Sequence, residues 1–87
     1  MVYLLHFTPR YKHAGHYIGS TKDLMRRLKE HREGTAARLT SVVIANGGFW
    51  RLARVWDTPP EGDWSLEKRL KAMGGAKRIC PICKRGE

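Results

Sequence analysis

Tyr17-Ile18-Gly19-Ser20-Thr21-Lys22-Asp23-Leu24-Met25-Arg26-Arg27-Leu28 passes from strand to helix within twelve residues. Residues 16–19 have strand character. Ser20 or Thr21 can cap the helix that follows, Asp23 sits in its first turn, and Leu24 and Leu28 form an apolar stripe at i and i+4 that runs to about Glu33. Gly34 stops it. Upstream, residues 2–7 are a β-branched and aromatic run without a breaker, so they read as a strand that Pro9 ends. The polar, basic residues 8–15 then make a hairpin loop longer than a tight turn, carrying Arg10, Lys12 and His13.

Downstream, a shorter helical pattern covers residues 36–45, although the β-branched Val42-Val43-Ile44 also suits a strand. Asn46-Gly47-Gly48 breaks the chain before a third strand at residues 49–56, which Pro59-Pro60 closes. Asp63 can cap a last helix to about Met73, with Leu66, Leu70 and Met73 on one face and Gly74-Gly75 at its end. The expected organisation is one α/β (α+β) domain over residues 1–75 and a basic tail over residues 76–87 that contains Cys80-Pro81-Ile82-Cys83.

Seventeen Lys and Arg against eight Asp and Glu leave a formal charge of +9 on 87 residues. So strong a positive field on so small a surface points to a polyanion, and to nucleic acid first. No apolar run approaches the ~20 residues of a membrane span, and no signal core follows the N-terminus. The expected setting is cytoplasmic, nucleoid-associated if bacterial, with no membrane partner. Two neighbouring cysteines agree with a reducing compartment.

Phosphodiester hydrolysis needs a group that moves a proton, a group that carries charge and a group that holds a cation. Arg27 and His31, four apart, share one face of the first helix, about 60° round from the Leu24/Leu28 stripe; Glu67 stands in the same relation to Leu70. These polar groups are expected to edge the core where a cleft forms. Tyr3 and Tyr17 fall on the two strands of the hairpin, where antiparallel pairing brings phenols together. Taken singly, each tyrosine reads first as a core aromatic and each helix residue first as a solvated one.

Met1-Val2-Tyr3, Tyr17-Ile18-Gly19 through Leu28 with an arginine ten residues after the tyrosine, and Glu67 within Leu66-Glu67-Lys68-Arg69-Leu70 together resemble the GIY-YIG nuclease superfamily. The likeness is to its small stand-alone members and to the N-terminal nuclease domain of the bacterial excision-repair incision protein. It runs from Val2 to about Met73. It implies a small three-stranded antiparallel sheet flanked by helices and a divalent-metal-dependent endonuclease acting on DNA. Tyr3, Tyr17, Arg27, His31 and Glu67 would be catalytic, with Glu67 as the one protein ligand to Mg²⁺ or Mn²⁺. Whether a tyrosine or His31 takes the proton from water stays open. The first triplet departs from the family pattern at Met1-Val2; Ser20 stands where the repair enzyme has a phosphate-contacting lysine, for which Lys22 or Lys12 would compensate; and Ile79 replaces a supporting asparagine.

Nucleic-acid contacts are expected from Lys12, Ser20, Lys22, Arg26 and Arg38, with preference for DNA structure over sequence. The chain is expected as a monomer or weak homodimer, within a larger repair or recombination complex where one forms. Cys80-x₂-Cys83 has the spacing of half a zinc site, but a closed site needs four ligands and only His6, His13, His16 and His31 are there to complete it. Zinc at Cys80/Cys83 is therefore not expected. The rival readings are a non-catalytic nucleic-acid-binding module on the same fold and a zinc-stabilised interaction protein.

Overall fold

The computed structural model describes residues 1–11, 14–72 and 76–84. Three strands form one antiparallel sheet: β1 (Val2–Tyr11), β2 (Ala14–Ser20) and β3 (Phe49–Trp56), in the order β2-β1-β3. Between β2 and β3 the chain makes α1 (Leu24–Glu33) and α2 (Arg38–Ala45); after β3 come α3 (Asp63–Ala72), a 3-10 turn (Ala76–Arg78) and α4 (Pro81–Lys84).

The hairpin is longer and tighter than the sequence suggests. β1 runs through Pro9, and Tyr11 pairs with Ala14, so Lys12 and His13 alone lie between the strands, outside the described residues. Proline is tolerated because pairing with β3 ends at Thr8, while the register with β2 shifts between His6 and Tyr11. A missing N–H at such an irregularity breaks no ladder bond. The Thr8–Pro9 bond is cis.

The helix ends have local causes. Asp23 itself caps α1, its side chain accepting from Arg26 N–H at 3.1 Å, while Thr21 Oγ1 accepts the Asp23 N–H. Gly34, at φ 77°, takes the left-handed position that closes the helix. Val42-Val43-Ile44 is helical, its Val43 buried. Asp63 lies in the first turn of α3, where its Oδ2 takes the N-terminal ammonium at 3.0 Å.

Residues 2–7 are buried on both faces of the central strand, and strand alternation sorts them into two cores. Tyr3, Leu5 and Phe7 pack with Leu28 of α1 and Val43 of α2. Val2 and Leu4 pack with Ile18, with Leu70 of α3, and with Ile79, Cys80 and Ile82. Residues 76–84 thus fold back onto the sheet. Ile79, where the resemblance calls for an asparagine, is a core side chain. No helix among the described residues is long and apolar enough to cross a membrane.

Candidate active site

The register pairs Tyr3 with Gly19 and Leu5 with Tyr17, so Tyr3 lies over the glycine, beside Tyr17 on the same face. A Cβ on Gly19 would sit 2.6 Å from the Tyr3 hydroxyl and 2.9 Å from the Tyr17 ring. The glycine is what lets both phenols occupy that face.

Tyr3 is 1% exposed, and its hydroxyl lies 2.6 Å from His31 Nε2. His31 is fully buried, deeper than the cleft-edge position its helical phase suggests. Its Nδ1 is 2.8 Å from Thr40 Oγ1, which donates its one proton to the Ala37 carbonyl at 3.1 Å. Proton accounting then orients the chain: Thr40 accepts from Nδ1–H, Nε2 is bare, and Tyr3 O–H donates to it. The Tyr17 ring stands beside Tyr3, with ring centroids 6.2 Å apart. With its proton given to His31, the Tyr3 oxygen is left with acceptor capacity toward the neighbouring Tyr17 phenol.

Electrostatics favour the neutral forms of Tyr3 and His31. Burial and the Tyr17 phenol push the Tyr3 phenol above its ordinary value, Glu67 adds to the rise, and Arg27 opposes it. Burial, then Arg27, lowers His31, with Glu30 partly offsetting them. A neutral imidazole with a bare Nε2 is the result.

Arg27 is 38% exposed and reaches Glu30 at 3.6 Å. With Lys22 and Arg26 it lines a groove at the start of α1 that also holds Thr21, Asp23 and Glu30. Glu67, 18% exposed, meets Lys71 at 3.6 Å and acts on Tyr3 from α3. Among the described residues the ion-pair partner of this carboxylate is an exposed lysine, and a carboxylate oxygen is a donor that fits a hard divalent cation. Ser20 ends β2, half-buried; Arg38 opens α2, exposed and outside the groove lining; Lys12 lies outside the described residues. Sequence reasoning misses Thr40, whose signal is a hydroxyl three residues before the buried Val43, on the same helix face.

On the opposite face the two cysteines find the histidine partners that their spacing alone does not supply. His6 and His16, directly paired across β1 and β2, meet Cys80 and Cys83 there, with all four ligand atoms within 4.8 Å of one another. The hairpin register, unspecified by the spacing of the histidines alone, supplies the missing half of the set.

A three-stranded antiparallel sheet bearing paired tyrosines, with helices packed on both faces, is the plan of a small nuclease-type catalytic domain. The chain belongs to the GIY-YIG family: the GIY-YIG catalytic domain matches residues 1–78, from β1 through the 3-10 turn. Comparison with curated proteins and with solved structures gives no match.

Proposed function

We propose that the protein is a divalent-metal-dependent endonuclease that hydrolyses phosphodiester bonds in DNA, selecting DNA structure more than sequence. The observation that carries this reading is the directed hydrogen-bond chain from Tyr3 through His31 to Thr40, with the Tyr17 ring beside Tyr3. Tyr3 and His31 are sealed from solvent, whereas Tyr17 is half-buried. Tyr17 is therefore the phenol that meets the attacking water.

As water attacks phosphorus and the bond to the leaving oxygen breaks, Tyr17 takes the water's proton and passes its own to Tyr3, and Tyr3 passes its proton to His31 Nε2. The imidazolium keeps its Nδ1–H on Thr40. The relay overcomes the weakness of a neutral phenol as a base, because the final acceptor is an imidazole. Arg27 offsets charge gathering on the phosphate. Glu67 would hold Mg²⁺ or Mn²⁺, which when bound supplies positive charge at the scissile phosphate and its leaving oxygen. Lys22 and Arg26, beside Arg27 in the groove, fit the DNA backbone, and the +9 charge adds affinity that falls steeply with salt.

The test is cleavage of end-labelled duplex, branched and single-stranded DNA with Mg²⁺ or Mn²⁺, beside Glu67→Ala and Tyr17→Phe. Wild-type cutting should fall about 10²–10⁴-fold in Tyr17→Phe, and at least as far in Glu67→Ala, with DNA binding retained. Binding without cutting on every substrate would instead make the chain a non-catalytic nucleic-acid-binding module.

A further inference from the structure

The sheet face turned away from the phenols carries a second constellation. His6 and His16 rings meet edge-on with centroids 5.2 Å apart. Cys80, just before α4, and Cys83, within it, stand one turn apart against this pair. Cys80 Sγ lies 3.4 Å from His6 Nδ1; Cys83 Sγ lies 3.5 Å from the same nitrogen and 3.2 Å from His16 Nε2.

We propose that His6 Nδ1, His16 Nε2, Cys80 Sγ and Cys83 Sγ bind one Zn²⁺ as a closed structural site. Zinc–sulfur bonds of ~2.3 Å and zinc–nitrogen bonds of ~2.05 Å give a tetrahedron whose S–N edges are about 3.5 Å. The three sulfur–nitrogen separations match that edge within about 0.3 Å. Two nitrogens and two sulfurs are the donors zinc favours, unlike the hard carboxylate oxygens of Glu67, so the two sites select different metals. All four positions are filled by side chains, leaving none for water, which makes the site structural and not catalytic.

Charge supports the same assignment. On binding, each thiol gives up its proton to solvent and the imidazoles coordinate through neutral nitrogen lone pairs. The two thiolate charges cancel that of Zn²⁺. A neutral centre suits surroundings in which Cys80 is 0% and His6 6% exposed. The ion ties the C-terminal segment to the hairpin, an effective constraint in a domain of 87 residues with a small core. Ile79 and Ile82, flanking Cys80 in sequence, add only a modest apolar anchor to the sheet.

The rival account of the same distances is a set of S–H···N hydrogen bonds between free thiols and imidazoles. Elemental analysis of the full chain, purified without chelator, should give about one zinc per chain. Stripping zinc should lower the melting temperature, and zinc but not Mg²⁺ should restore it. The stripped wild-type chain loaded with Co²⁺ should show the intense visible absorption of a tetrahedral site together with thiolate-to-cobalt charge transfer. Cys83→Ser and His16→Ala should lose zinc; because either variant can misfold, the wild-type cobalt spectrum decides. Zinc-free protein with no tetrahedral cobalt spectrum and both thiols reactive, or a Cys80–Cys83 disulfide in freshly purified chain, would overturn the assignment. None of these readouts depends on DNA cleavage.

Discussion

Replacing Gly19 with alanine tests the geometry on which the relay depends. The new Cβ would lie 2.6 Å from Tyr3 Oη, 2.7 Å from its Cζ and 2.9 Å from Tyr17 Cε1. These atoms belong to rigid rings, one of them 1% exposed, so neither can swing aside as a flexible chain end would. Tyr3 must retreat roughly 1 Å to reach ordinary contact, and its 2.6 Å bond to His31 Nε2 breaks. Overpacking costs about 1–3 kcal/mol, and leaving the buried nitrogen without a donor costs about 1–3 kcal/mol more. Alanine recovers about 0.5–1 kcal/mol because glycine is the poorer strand residue. The net loss is about 3 kcal/mol, within the range of overpacked core sites. Misplacement by about 1 Å should also cost about 10²-fold in cleavage. Gly15→Ala in the same strand is the control: the nearest atoms to its Cβ would be those of the flexible Arg10 side chain, at 3.4 Å and beyond, and stability should move by about 0.5 kcal/mol or less. Urea unfolding at unchanged slope reads the first quantity, and cleavage under conditions where both variants are folded reads the second. If Gly19→Ala matches Gly15→Ala in both, Tyr3 does not sit over Gly19 as described and the reasoning fails.

Tyr3→Phe keeps the ring but strips His31 Nε2 of its donor, so it should destabilise by about 1–3 kcal/mol, whereas Tyr17→Phe, at a half-buried phenol, should cost less. Equal denaturation midpoints for the two would contradict the burial difference. For His31 the sign is fixed by the direction of its shift: the folded group lies below its ordinary 6.5, so its contribution to stability is complete above 6.5 and is lost as pH falls through the lower folded value. Since only a bare Nε2 accepts the proton, the acid limb of the cleavage rate should lie below pH 6.5 and vanish in the residual activity of His31→Phe; a limb centred above that value, or one that persists in the variant, argues for another acceptor.

The elements with strong local signals were legible from composition alone. β3 occupies residues 49–56 as its aromatic run and flanking breakers suggest, and Gly34 ends α1. Pro9 misleads because it reads as a strand terminator, a rule that holds where a ladder bond is needed; the register shift after His6 removes that need. The C-terminal segment was opaque for a different reason. Its buried side chains among the described residues, Ile79, Cys80 and Ile82, have no amphipathic period, and their value comes from a sheet face whose buried residues, Val2, Leu4 and Ile18, lie more than sixty positions earlier. His31 shows the same limit from the other side: helical phase places it beside the apolar stripe, but its enclosure depends on Thr40 and Trp50 arriving from α2 and β3.

Register is the quantity that joins the two faces. Slipping β1 by one residue against β2 would carry its side chains to the wrong face, and an alternating apolar pattern normally forbids this. Here residues 2–7 are buried throughout, so hydrophobicity alone distinguishes the faces poorly. Two polar relations do what alternation cannot. On one face Tyr3 fits only opposite a residue without a Cβ, and Gly19 is that residue. On the other, one ion can engage both histidines only when His6 faces His16. Both conditions are met by a single alignment, in which Leu4 also meets Ile18 and Leu5 meets Tyr17. The zinc site therefore stabilises the same strand pairing that places Tyr17 beside Tyr3, although the ion and the phenols lie on opposite sides of the sheet.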